Sequence, residues 1–167
     1  ELCPHGSGEA TEKMIQRAIQ LGFQRYCITE HAPLPPAFRD QYEGTPAGYT
    51  EASLRENQVA DYLALANGLK TKYAGQIEIS VGFEVEFLPG HVAWTRDFLN
   101  TYGPRTQESI LSVHFMRGLR QHFWCVDMST DDFAAGFGQW LKTPQRVFEQ
   151  YYQTVLASVQ ADLGPYA

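Results

Sequence analysis

Four short apolar runs in this chain end on a side chain that can ligate a metal or move a proton. Tyr26-Cys27-Ile28-Thr29 leads into Glu30-His31, Ile77 to Val81 into Gly82-Phe83-Glu84, Ser109 to Val113 into His114, and Phe123 to Val126 into Asp127. Imidazole and carboxylate are the donors that hold Zn, Mn or Fe. For any one of these positions alone, a polar residue where a strand emerges into water is the plainer explanation. Their coincidence is what points to a site, since the whole chain has 5 His and two stand at run ends. His5, in Cys3-Pro4-His5-Gly6-Ser7, reads on its own as a loop residue, and the polar surroundings of His91 and His122 place both on the surface.

Other chemistries lack their signatures. There is no GxSxG elbow for a serine hydrolase, no GxxxxGK[ST] phosphate loop and no GxGxxG after a strand. Cys3, Cys27 and Cys125 form no CxxC pair, and Cys27 and Cys125 fall inside strands, where a thiol usually packs in the core. The formal charge of -6 over 167 residues excludes a protein built to coat nucleic acid. No apolar stretch reaches the roughly 20 residues of a membrane helix, and the cysteine usage fits a reducing, cytoplasmic setting.

Positioning these side chains requires alternating helices and strands. Met14, Ile15, Ala18 and Ile19 recur at helical spacing before Gly22. Leu54, Tyr62, Leu63, Ala66, Leu69 and Tyr73 predict a long amphipathic helix over 51–73. Trp94, Phe98 and Leu99 mark another helix. The last, capped by Thr143 with Pro144 in its first position, has a broad apolar face of Val147, Phe148, Tyr151, Tyr152, Val155, Leu156 and Val159. Residues 33–50, rich in Pro and Gly, cannot stay regular for long and form a functional loop. Helix alternating with strand predicts a single α/β domain over 1–167 around a parallel sheet, with Phe123–Val126 as a possible fourth strand. In a parallel α/β barrel, functional groups gather where strand C-termini converge.

Taken together, Cys3-Pro4-His5-Gly6-Ser7, Thr29-Glu30-His31-Ala32-Pro33-Leu34-Pro35, Gly82-Phe83-Glu84-Val85-Glu86 and Ser112-Val113-His114-Phe115 resemble the histidinol-phosphate phosphatase branch of the polymerase and histidinol phosphatase (PHP) family. The likeness extends to Tyr151-Tyr152 and to Asp162-Leu163-Gly164-Pro165-Tyr166. It implies a distorted, seven-stranded, TIM-like β/α barrel with up to three divalent ions, Zn, Mn or Fe, at its mouth. It also implies hydrolysis of a small-molecule phosphate ester, L-histidinol phosphate, in histidine biosynthesis. By the same resemblance His5, His31, Glu84 and His114 are metal ligands, Glu84 bridging two ions, while Asp127 gains no role.

Given that activity, Arg117 and Arg120, just past His114, are placed to grip a phosphate in two-pronged fashion; a solvated basic turn is the alternative. The 33–50 loop is placed to cover a substrate. The family's His-x-His, Gly-His and Asp-x-His ligands are not visible here, so the expectation is a domain incomplete at both ends, with this segment alone inactive. A PHP phosphoesterase of other specificity and a non-catalytic remnant of the family are the competing readings.

Overall fold

The computed structural model describes Leu2 and residues 6–165. Helix α1 (Thr11–Gln20) buries Ile15 and Ala18, carries Glu12 in its first turn, and ends before Gly22, which takes a φ of +81°. That left-handed turn suits a residue without Cβ and redirects the chain into β1 (Arg25–His31).

Residues 33–50 are irregular, as their Pro and Gly content predicts, but they are fixed. A 3-10 segment, Pro36–Gln41, and the one-turn helix α2 (Ala47–Thr50) are the regular pieces of the loop. Phe38 is wholly buried in a small core with Leu88, Phe115, Phe123 and Cys125. Thr45 donates both its backbone N–H and its hydroxyl to the buried carboxylate of Asp132, the hydroxyl at 2.7 Å.

The helix predicted over 51–73 is shorter. It begins as a 3-10 turn, Glu56–Gln58, and continues as α3 (Val59–Lys72). Leu54 instead follows the end of β1, donating its N–H to the His31 carbonyl while its side chain is buried, and the Gln58 side chain accepts the Arg55 N–H at the new helix start. Tertiary pairing there overrides helical periodicity.

β2 (Glu78–Glu86) is the central strand of a parallel sheet ordered β1-β2-β3, with β3 spanning Ile110–Ser112. Its Ile79, Val81, Phe83 and Val85, alternate residues on one face, are all buried, while the opposite face carries Ser80, Gly82, Glu84 and Glu86. Tyr62 of α3 and Phe98 and Leu99 of α4 (Val92–Tyr102) join that core. The Tyr62 hydroxyl reaches the β1–β2 seam, 2.5 Å from the Gly82 carbonyl oxygen and 2.9 Å from that of Ile28. Gly82 itself lies so close to the chain entering β3 that a Cβ there would stand 1.4 Å from the Glu108 carbonyl oxygen.

After β3 the chain does not supply a fourth parallel strand. β4 (Phe115–Arg117) and β5 (Phe123–Cys125) pair antiparallel in a separate hairpin, closed by a turn in which Arg120 and Gln121 have positive φ. The described residues thus hold five strands in two sheets, a mixed α/β fold that does not close into seven strands. α5 (Thr130–Phe137) is capped by Ser129, whose hydroxyl accepts the Asp132 N–H at 3.0 Å.

The last helix, α6 (Gln145–Gln160), begins after Pro144, and no side chain caps it. Its predicted apolar face divides. Val147 is buried and Tyr151 and Val155 pack partly against the cores, whereas Phe148, Tyr152, Leu156 and Val159 are exposed. The two sets are neighbouring stripes on one helix, and the rotation that seats the first turns the second outward. Cys27, expected in the core, is also exposed, on the face of β1 opposite the buried Ile28; Cys125 is buried.

Candidate metal centre

His31 and Glu84 are register partners at the C-terminal ends of β1 and β2. Neighbouring strands lie about 4.8 Å apart and partners share a face, so the pairing alone brings imidazole and carboxylate together. His31 Nε2 is 3.8 Å from Glu84 Oε2. His114 stands two residues beyond β3, whose Ser112 pairs with Glu86, and its Nε2 is 3.3 Å from Glu84 Oε1. One ligand atom from each of the three can be chosen so that all lie within 4.8 Å of one another.

Four donors held tetrahedrally about 2.0–2.1 Å from a zinc ion stand about 3.4 Å apart. The observed spacings of 3.3 and 3.8 Å therefore need only small side-chain rotations to hold a divalent cation. Two imidazoles and one carboxylate suit Zn, Mn or Fe. Ser112 steadies the carboxylate by donating to Glu84 Oε1 at 2.8 Å.

Behind this group sits Glu86, which sequence reasoning quoted in GFEVE but gave no role. Its side chain is 9% exposed. Oε2 lies 2.7 Å from His114 Nδ1, and Oε1 accepts the backbone N–H of His114 at 2.7 Å and of Phe115 at 3.3 Å. The hydrogen bond that the His114 ring donates to Glu86 raises the His114 pKa to about 9, against the opposing effect of burial. Burial pushes the Glu86 carboxyl upward, and the N–H groups aimed at it act in the other direction. With Nδ1–H held by Glu86, neutral His114 presents Nε2 toward Glu84, the tautomer a metal ligand needs. Strand alternation was the available signal: two residues apart on β2, Glu84 and Glu86 must face the same way.

These groups open onto a cavity of about 260 Å³. Leu34, Ala52 and Ser53 wall it from the 33–50 loop and the segment after it, while Phe115, Cys125 and Met128 wall it from the hairpin and the chain that follows. Asp127, set aside in the sequence as an ordinary strand end, lines the same cavity, and its Oδ1 lies 3.0 Å from the Cys125 thiol.

The other expected site residues lie elsewhere. His5 is outside the described residues. Arg117 donates to the Gln121 carbonyl at 2.6 Å and to Gln41 Oε1 at 3.3 Å, with its guanidinium 4.2 Å above the Phe123 ring. Arg120 is mostly exposed and pairs with Glu43 at 3.3 Å. Neither lines the cavity. His91, beside Gln41 and Phe38, and His122, 3.9 Å from Glu43, are half-buried and also outside it.

Comparison with known proteins adds a lineage to this geometry. A family model described as PHP domain matches residues 1–166. The histidinol-phosphatase of Bacillus subtilis (strain 168) is 35% identical over 165 residues, covering 99% of this chain and 59% of that protein. A probable histidinol-phosphatase of Schizosaccharomyces pombe is 27% identical over 158 residues, 92% of this chain and 47% of that protein. A crystal structure from Listeria monocytogenes, provisionally assigned as a histidinol phosphatase, superposes with a TM-score of 0.94 at 38% identity, covering 99% of this chain and 60% of that one. The chain thus spans less than two thirds of the length of each of these relatives.

Proposed function

We propose, from the premise that this chain belongs to the PHP family, that it forms the metal-binding core of a phosphomonoesterase converting L-histidinol phosphate to L-histidinol and phosphate. The observation that carries this reading is the convergence of His31, Glu84 and His114 in one cavity, with Glu86 buried behind His114. The names of the Bacillus, Schizosaccharomyces and Listeria relatives supply the substrate.

His31, Glu84 and His114 would hold a divalent ion, Zn, Mn or Fe, with His5 as a fourth ligand. A bound ion in such a site supplies Lewis acidity and positive charge for a phosphoryl group. The chain's own residues do the rest. Glu86 keeps the Nδ1 proton on His114 and fixes the plane of its ring. Ser112 fixes one oxygen of Glu84. Leu34, Phe115 and Met128 give the cavity a wall that sheds water and leaves room for a small alcohol. Arg117 and Arg120 belong in this reading to the scaffold of the hairpin rather than to phosphate binding, because both are engaged there.

The three parallel strands with helices against them fit an arc of the seven-stranded PHP barrel, and residues 1–167 fit one domain of it. Among the described residues no helix is long and apolar enough to cross a membrane. A small soluble phosphate ester as substrate accords with that and with a cytoplasmic location.

The test is phosphate release by a purified protein containing this chain, loaded in turn with Mn, Zn and Fe. L-histidinol phosphate should be cleaved at least tenfold faster, as kcat/KM, than p-nitrophenyl phosphate. Equal rates on the two esters would reassign the substrate, and no release with any ion by a protein that carries this chain together with the family's His-x-His, Gly-His and Asp-x-His ligands would remove the phosphatase reading altogether.

A further inference from the structure

We propose that Asp127 is the specificity-determining residue of this cavity, its carboxylate receiving the protonated amine of the substrate beside the phosphoryl site. The inference rests on the phosphomonoesterase reading above and names what that reading leaves open, namely how the non-phosphate end is held.

Three carboxylates line the cavity. Glu84 is shared between two imidazoles and Ser112, and Glu86 is engaged by the ring and backbone of His114 and by the Phe115 N–H. Asp127 is different. It is exposed, and among the described residues its side chain takes a single hydrogen bond, from the Cys125 thiol to Oδ1 at 3.0 Å. Burial, reinforced by the Asp127 hydrogen bond, lifts the Cys125 pKa to about 12, so the thiol stays a donor at any working pH and holds the carboxylate in place. Oδ2 is left to meet a ligand.

The complementary ligand group is a cation. An aliphatic amine is charged at neutral pH, whereas an imidazole with an ordinary pKa is mostly neutral there, so the amine rather than the ring is the partner. A short phosphate ester whose amine sits on the carbon next to the ester CH2 keeps its charges a few bonds apart. That matches a site in which the cation-holding group and the ligand group share a 260 Å³ cavity. Leu34, Phe115 and Met128 offer apolar contact for the remaining ring and methylene.

Binding of L-histidinol, which has the amine but no phosphate, is measured by calorimetry on the full chain and on Asp127→Asn, Asp127→Glu and Cys125→Ser. The control ligand is 3-(imidazol-4-yl)propan-1-ol, which lacks the amine. Asp127→Asn should weaken L-histidinol about tenfold or more, as expected for losing a charge-assisted hydrogen bond, and the amine-free alcohol by less than about twofold. Asp127→Glu should recover part of the loss, and Cys125→Ser should bind within about threefold of the parent, since a hydroxyl can replace the thiol as donor. Metal content should be the same in every variant. Equal losses for both ligands, no loss, loss of metal in Asp127→Asn, or a parent chain that does not bind L-histidinol would each overturn the assignment. Asp127-dependent binding of L-histidinol without phosphate release would leave the inference standing and sink the phosphatase reading instead.

Discussion

One side chain, Glu86, holds His114 at two points: Oε2 lies 2.7 Å from the ring Nδ1, and Oε1 accepts the backbone N–H at 2.7 Å. Ring plane, tautomer and backbone of a single residue are fixed by one buried carboxylate. Such a contact is what distinguishes a preorganised ligand from a histidine that happens to be nearby.

Replacing Glu86 by Gln should therefore lower metal affinity by about tenfold to a hundredfold, the usual cost of losing a carboxylate behind a histidine ligand. The amide still accepts the backbone N–H groups, so folding should be largely kept. Chelator competition and elemental analysis give the readout. Unaltered affinity would reduce Glu86 to a packing residue.

The metal-free protein should also lose stability as the solution is made alkaline. The folded pKa of His114 is raised to about 9 from an ordinary value of 6.5, chiefly by Glu86. A raised pKa contributes stability that is fully present below about pH 6.5 and is lost as pH climbs through about 9. Urea midpoints between pH 6 and pH 10 should fall across that window in the parent and much less in Glu86→Gln. A parent curve with no slope there would contradict the pairing.

Gly82→Ala should be among the most damaging single changes to the sheet. Its Cβ would lie 1.4 Å from a backbone oxygen of Glu108, which cannot swing aside as a side-chain tip can. Overpacking against backbone should cost about 3 kcal/mol or more. Urea unfolding measures it, and a variant within about 1 kcal/mol of the parent would show that the β2–β3 approach is looser than described.

Asp132→Ala should free the loop without unfolding the domain. It removes two donors' worth of contact from Thr45, including the 2.7 Å hydroxyl bond, with an expected loss of about 1.5–3 kcal/mol for bonds to a charged group. Hydrogen exchange at the amides of residues 45–50 should quicken while metal affinity stays put. Unchanged protection would mean that Phe38 alone pins the segment.

What could be read in advance divides along physical lines. His31, Glu84 and His114 were visible because each ends an apolar run, and a run's end is a local property of the chain. Glu86 was readable from alternation on β2 but lacks any signal of its own partner, since His114 reaches it only through the β2–β3 pairing. Asp127 also ends an apolar run but was passed over because the family resemblance gives it no role; the left-handed turn at Arg120 and Gln121, which folds β5 back on β4 and brings Asp127 to the cavity, has no periodic signal in the sequence. The α6 face was overread for a similar reason: periodicity gives the apolar stripe, and packing decides which half of it is covered.

The register of β1 against β2 has a consequence for how the domain reaches its native state. A slip of one residue would carry His31 to the opposite face of the sheet, away from Glu84. An ion that needs both side chains can be held by the native pairing and not by its neighbours in register, so chelation and topology proofread one another. Insertions among the connecting loops leave that check intact, whereas a single added residue inside either strand defeats it.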